Sequence, residues 1–464
     1  LFSLLAAGVL LAQQAPLMPV REVKAGMKGV GRTVFEGGTV ASFNVEVLGV
    51  LENSGPGQAL ILARLSGGPL EKTGVMQGMS GSPVYFGGRL AGAVAFAFPF
   101  AKEPIAGIRP IGEMLDASDP VPASPRAVAA LKFGDSQLVE IATPVSLSGF
   151  TPRTVEQFRS ELSSFGFEPR QGVSSGSPAG TAMGDPRRLQ PGSMISVQLM
   201  TGDLSIGADG TVTHIDGNKL YAFGHRFLAM GDTEMPFARA EVVTLMPTLA
   251  TSFKISNPRE WLGSITTDRN AAVAGVFGRR ARMVPLSVQV SGAANGRSRE
   301  RTYKMEMVNH RALAPFLTQL AVFSALDSTE RALGGMTVSV EGEARFTQAG
   351  LPALRFQNLF AGDFNTALPA ALSVASPLSA LLEAAVPGVQ LASIDLKLGV
   401  RNERRQLKVD NAWLSRQEAQ PGDAVEIAVS LVGDDGVAEG SGEQGVELQS
   451  VVVDASAGAV RGSR

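Results

Sequence analysis

Through most of this chain, apolar and polar residues alternate with a period of two. Residues 41–50 place Phe43, Val45 and Val47 on one side and Asn44 and Glu46 on the other. That spacing marks a strand with one buried face. Similar or β-branched runs predict strands at 30–35, 59–65, 194–199, 210–215 and 219–223, with two short apolar strands around Val84 and Ala93. Gly37-Gly38, residues 53–57 and Asp216-Gly217-Asn218 lie between them as turns, the last being a hairpin signal. Further strands are expected at 240–245, 272–277, 286–290, 303–308 and 336–346, and then at 394–400, 406–413, 424–431 and 446–453. Helical spacing is confined to three places. Residues 151–162 open on Thr151 as cap with Pro152 at the first helical position. Residues 311–331 carry Leu313, Phe316, Leu317, Leu320, Phe323 and Leu326, a stripe read as core packing. Residues 376–385 open on Ser376-Pro377.

This inventory makes the fold mainly β, and five regions are expected. Residues 1–15 read as the end of a signal peptide: an apolar run to Ala12, then Gln-Gln-Ala-Pro, with cleavage after Ala12 or Ala15. The run is shorter than the roughly 20 residues that a membrane-spanning helix needs, so export to a periplasm, cell envelope or exterior is expected without a stable membrane span. Residues 16–120 form a six-stranded half-barrel, and 121–190 a linker, a short helix and a Gly/Ser-rich loop at 173–186. Residues 191–346 form a second β half-barrel with a helix. Residues 347–464 form a β-sandwich-like region, incomplete against the about seven strands of a full sandwich.

Composition narrows the chemistry. There is no cysteine, which excludes disulfides, thiolate nucleophiles and Cys-type metal sites. With 41 basic and 43 acidic side chains and no basic run, nothing points to nucleic acid. Only His214, His225 and His310 can supply an imidazole. Asp232 and Glu234 lie close together but have no second histidine nearby, so they read as solvated turn carboxylates and no metal site is expected.

Gly78-Met79-Ser80-Gly81-Ser82-Pro83 is a glycine-rich turn presenting a serine. Its glycines allow backbone angles at which two N–H groups converge on one point, as an oxyanion hole requires. A serine nucleophile needs a base. His225 follows a predicted strand, where Gly224 lets the chain turn, and can either face a cleft or be a simple turn residue. His214 lies within an alternating run and decorates a strand face, while His310 precedes a helix.

The Ser80 turn, together with Gly210-Thr211-Val212-Thr213, Asp216-Gly217 and Ala222-Phe223-Gly224-His225, resembles the SpoIVB-type serine peptidase family. Thr267-Asp268-Arg269, residues 275–278 and Val284-Pro285 extend the likeness, which covers roughly residues 20–310. The resemblance implies a chymotrypsin-like double β-barrel, here with helical insertions. It implies Ser80 as nucleophile, His225 as general base, and the amides of Gly78 and Ser80 as oxyanion hole. It implies no cofactor and a protein or peptide substrate. Two departures follow. Sporulation members of the family place the histidine before the serine, whereas here Ser80 precedes His225; geometry, not chain order, defines a triad. The family's acid falls at Ser66, leaving Asp268 or Asp232 to complete a triad, or else a dyad. The expected activity is that of a serine endopeptidase, with self-cleavage in the 173–186 loop as one outcome. The rivals are a non-catalytic binding or scaffold protein with the same fold, and a structural envelope protein.

Overall fold

The structure is a computed structural model that describes residues 15–55, 57–115, 130–133, 136–172, 182–294, 297–329, 333–384, 389–404, 406–414, 424–433, 447–454 and 459–462. The expected leader through Leu11 and Ala12, the 117–125 linker and residues 173–181 of the Gly/Ser-rich loop lie outside the described residues.

The first unit comprises β1 (Lys28–Glu36), β2 (Thr39–Gly55), β3 (Gln58–Ser66), the short helix α1 (Leu70–Thr73), β4 (Pro83–Phe86), β5 (Arg89–Ala97) and β6 (Ile105–Pro110). Its strands pair in the order β1-β2-β3-β6-β5-β4, and β4 returns to β1, so the sheet closes into a six-stranded barrel. The period-two pattern explains the closure. Phe43, Val45 and Val47 of β2 point inward and meet Ile61, Ala63 and Leu65 of β3, Val84 and Phe86 of β4 and Ile108 of β6.

After α2 (Ile111–Leu115), the hairpin β7 (Ala130–Phe133) and β8 (Ser136–Glu140) extends β5. Next come β9 (Thr143–Ser148), α3 (Pro152–Gln157), α4 (Arg159–Ser164) and β10 (Phe167–Gln171). Thr151 caps α3 by accepting the Thr154 amide at 3.1 Å, as expected. The single predicted helix breaks at Phe158, whose ring packs edge-on against Phe316 and Phe323.

The second unit comprises β11 (Met194–Gly202), β12 (Ser205–Asp216), β13 (Lys219–Ala222), β14 (Gly231–Met246), β15 (Phe253–Arg269) and β16 (Ala272–Phe277). Its order, β11-β12-β13-β16-β15-β14 with β14 closing on β11, repeats that of the first unit strand for strand. The chain is thus mainly β with a double-barrel architecture. The β14–β15 hairpin is long enough to reach the first barrel. Gly37 and Val242 exchange both backbone hydrogen bonds at 2.8 Å, and the Gln77 amide donates to Ser252 O at 2.9 Å.

From β11 the same sheet continues through β17 (Met283–Ala294), β18 (Arg297–Val308), β19 (Leu333–Phe346), β20 (Leu354–Phe364) and β21 (Leu391–Arg401). The helices α5 (Leu313–Thr329) and α6 (Ala367–Glu383) share its core. The C-terminal strands therefore divide differently from the expected boundary at 347. β21 inserts between β17 and β19, tying residues up to 401 into the large sheet. Among the described residues, β22 (Leu407–Leu414), β23 (Ala424–Gly433), β24 (Glu447–Asp454) and β25 (Ala459–Gly462) form a separate antiparallel sheet of one layer. α6 begins at Ala367 and carries Pro377 in its interior instead of opening on it. A proline there costs about 3 kcal/mol. Burial of Ala370, Ala371, Val374 and Leu378 offsets that penalty.

Candidate active site

Ser80 lies in the connection between the third and fourth strands of the first barrel. Gly78 and Gly81 adopt φ of +88° and +91°, angles that glycine takes without a Cβ penalty. Around them the turn closes on itself: Met79 N–H donates to Met76 O (3.1 Å), Ser82 N–H to Met79 O (2.9 Å) and Gly81 N–H to Val94 O (2.8 Å). The amides of Gly78 and Ser80, by contrast, have no hydrogen-bond acceptor among the described residues. Two uncommitted donors flanking Met79 are what an oxyanion hole needs.

The Gly-Thr-Val-Thr run noted in the sequence holds this turn in place. Thr211 Oγ1 donates to Gly78 O at 2.8 Å, and Thr213 Oγ1 to Gly81 O at 2.7 Å. Thr211 N–H donates to Ser80 O at 2.9 Å. The fit tolerates no side chain at Gly81, where a Cβ would stand 2.1 Å from Thr211 O and 2.5 Å from Phe223 N.

His225 follows the third strand of the second barrel, the position equivalent to that of Ser80. Phe223 and Gly224 both take positive φ, +72° and +69°, and turn the chain out of β13. A Cβ on Gly224 would lie 3.2 Å from Val94 O, the carbonyl that receives Gly81 N–H. The two turns therefore meet over the same residue of β5. His225 is 2% exposed and Ser80 fully buried. The imidazole Nδ1 lies 2.6 Å from Arg226 O, so Nδ1 carries the proton and donates to that carbonyl. Nε2 then keeps its lone pair, and neither Nε2 nor Ser80 Oγ has a hydrogen-bond partner. The structure thus packs the two turns together without a hydrogen bond between Oγ and Nε2. Burial pulls the His225 pKa down to about 4; the Arg226 carbonyl opposes this, and the charges of Arg109 and Arg226 add to it. The ring is a neutral base at ordinary pH.

Asp268, the penultimate residue of β15, is fully buried. Its carboxylate accepts the amides of Phe227 (2.8 Å), Leu228 (2.7 Å) and Met230 (3.3 Å), so it fixes the loop that follows His225 rather than the ring itself. Burial pushes its pKa up to about 6 against those amides. Asp232 pairs with Arg269 (3.4 Å), and Glu234 pairs with Arg279 (3.4 Å) and Arg282 (3.6 Å). Ser66 is at the exposed end of β3, paired with Asn44. His214 stacks on Tyr221, and His310 precedes α5, its carbonyl accepting Ala314 N–H. Among the described residues no group of three or more His, Asp or Glu is placed to hold a metal ion.

One buried cluster escaped the sequence reading. Lys254 is 2% exposed, its stem packs against Gly78, and its Nζ donates to Thr33 Oγ1 at 2.7 Å. Burial pulls its pKa down to about 7, opposed by the charge of Asp209. Asp209 accepts Ser256 Oγ at 2.6 Å, and burial pushes it up to about 6. A lone lysine in a stretch without apolar alternation carries no signal of this kind, because only the fold reveals that it faces inward. A cavity of about 480 Å³ opens beside this cluster, bounded by Lys254, Phe253 and Arg170, but neither Ser80 nor His225 lines it.

Two six-stranded barrels of equal strand order, with the Ser80 turn on one and the His225 turn on the other, define a double-barrel protein. Residues 9–109 match the family model described as SpoIVB peptidase S55, which identifies the Ser80-bearing barrel as SpoIVB-type. The match ends before β11 and so does not extend to His225. No curated protein and no solved structure matches the chain.

Proposed function

We propose that this chain is an exported serine endopeptidase in which Ser80 attacks the scissile carbonyl and His225 Nε2 takes and returns the proton. The observation that carries this reading is the meeting of two equivalent turns at Val94, with Ser80 Oγ and His225 Nε2 both left without partners. A buried polar atom without a partner is costly, and functional sites are where such atoms are retained. The Nδ1–H tautomer leaves Nε2 as the acceptor, the form a general base requires. The Gly78 and Ser80 amides would hold the oxyanion. In the acylation step the Ser80 Oγ–C bond forms, the C–N bond of the substrate breaks, and the imidazolium gives its proton to the leaving amine. Water then repeats the sequence on the acyl-enzyme. Catalytic hydrogen bonds tighten in the substrate complex, and the Oγ–Nε2 bond belongs to that step. The 173–186 loop is the first self-processing segment to test.

One observation favours a second reading. The ring of His225 is held by a backbone carbonyl and touches no carboxylate, an arrangement that a binding protein of the same fold tolerates equally well. Labelling by a fluorophosphonate separates the two. The wild-type chain is expected to label at Ser80, and Ser80→Ala and His225→Ala to lose labelling. Absence of Ser80-dependent labelling in the folded wild-type chain would overturn the peptidase reading.

A further inference from the structure

The turn carrying His225 is tied to the opposite barrel by a buried ion network. Arg109, on β6 of the first barrel, is 3% exposed, and its Nε donates to Gly224 O at 3.5 Å. Its Nη1 reaches Glu113 Oε2 and Gln58 Oε1, each at 3.2 Å, and its guanidinium stands 5.0 Å over the Phe96 ring. Glu140, the last residue of β8, is 8% exposed and pairs across the sheet with Phe96. One of its oxygens lies 3.7 Å from Arg109 Nη2 and the other 3.5 Å from Arg226 Nε. Arg226 is the residue whose carbonyl receives the Nδ1 proton of His225.

A single carboxylate thus joins an arginine of the Ser80 barrel to the residue that orients the imidazole. Such a tie is expensive to bury and is weak evidence for stability in itself. Its value lies in geometry: the barrels carry one reacting group each, so whatever fixes residues 224–226 against β5 and β6 fixes the base against the nucleophile. We infer that Glu140 is a positioning residue for His225, holding through Arg226 the backbone carbonyl that takes the place of the ring carboxylate of a triad. Glu140 does not touch the reacting atoms. This role rests on the peptidase reading for its consequence, but its geometric content can be measured without it.

The test exploits the chain's three histidines. In full-length protein carrying 15N-labelled histidine, with His214→Gln and His310→Gln used for assignment, wild-type His225 is expected to show the Nδ1–H tautomer alone. Glu140→Gln keeps the shape and removes the charge. Its His225 signal is expected to shift to a mixture of tautomers, and fluorophosphonate labelling of Ser80 to slow by about tenfold or more, within the range for a misplaced general base. Glu140→Asp should restore part of both. A residue of purely structural importance would lower the melting temperature and leave the native-state tautomer alone. If Glu140→Gln does not fold, Arg226→Gln removes the same tie. Unchanged imidazole shifts in a folded variant of either kind overturn the inference, even if wild-type Ser80 labels normally. Shifted tautomers with no wild-type labelling would uphold the positioning role and overturn the peptidase reading instead.

Discussion

His225 loses its solvent shell in the folded chain, and its protonation is the residue-scale property with the largest functional consequence. Burial favours the neutral ring, and the Arg226 carbonyl only partly compensates. The acid limb of kcat/KM, which reports the free enzyme, is therefore expected near pH 4 rather than near the 6.5 of a solvated imidazole. A measured limb above pH 6 would show that the ring is hydrated in the active form. The same shift acts on stability. A folded-state pKa below the unfolded one means that the unfolded chain binds the proton first, so the contribution is complete above pH 6.5 and is lost as pH falls towards 4. Asp209 and Asp268, pushed up to about 6, act in the opposite sense, the folded chain gaining as pH drops through that value. Comparison with His225→Gln isolates the histidine. Between pH 7 and pH 4 the wild-type chain should lose on the order of 3 kcal/mol of unfolding free energy relative to the variant. Urea titrations at the two pH values measure it, and a pH-independent difference would refute the burial argument.

Within single elements, the Ser80 turn shows how tightly the barrels are fitted. Gly81 and Gly87 both hold positive φ, +91° and +56°, so alanine at either carries a left-handed penalty of about 1–2 kcal/mol. Their surroundings differ. A Cβ at Gly87 meets nothing within 4 Å, whereas one at Gly81 overlaps the backbone of both Thr211 and Phe223. Gly81→Ala is thus expected to cost a further ~1–3 kcal/mol and to abolish Ser80 labelling by prying the barrels apart, while Gly87→Ala keeps it; melting curves and labelling of the pair check this. These glycines and the turn into His225 were legible because they impose backbone demands that few residue types meet, and the paired threonines were legible only through the family resemblance. β2 was legible because one of its faces is buried and the other is wet. β15 was not: Lys254 and Ser256 point inward to Thr33 and Asp209, and Pro258 sits within the strand, so apolar alternation fails where polar groups satisfy one another inside. Nor was Glu140 legible, since Arg109 comes to it from a strand of the first barrel and Arg226 from a turn of the second.

At the scale of the whole molecule, the repeat of strand order places Ser80 on one barrel and His225 on the other, each after strand three. The placing of these two residues therefore depends on how the barrels are held together, and on what holds the second barrel. β18 pairs with β11, and through β17 and β21 it carries the sheet outward to β20, with α5 and α6 filling one continuous core with the second barrel. Thr337 Oγ1 bonds Glu403 O at 2.8 Å, and Arg404 Nη1 bonds Asp363 Oδ2 at 2.7 Å, closing this unit just beyond β21. Among the described residues, the four strands that follow pair only with one another. A chain ending at Gln406 is accordingly expected to fold, with a melting transition close to that of the full chain and an unchanged rate of Ser80 labelling. A chain ending at Phe346, the boundary suggested by the sequence pattern, removes β20, α6 and β21 and bares the buried face of α5 together with Val338 and Val340 of β19. It should be insoluble or expanded, because apolar area of that extent is worth about 25 cal/mol for each Å² returned to water. Should the chain ending at Gln406 instead lose labelling while remaining folded, the terminal sheet would be needed for labelling, and the division of the molecule at Gln406 would be overturned.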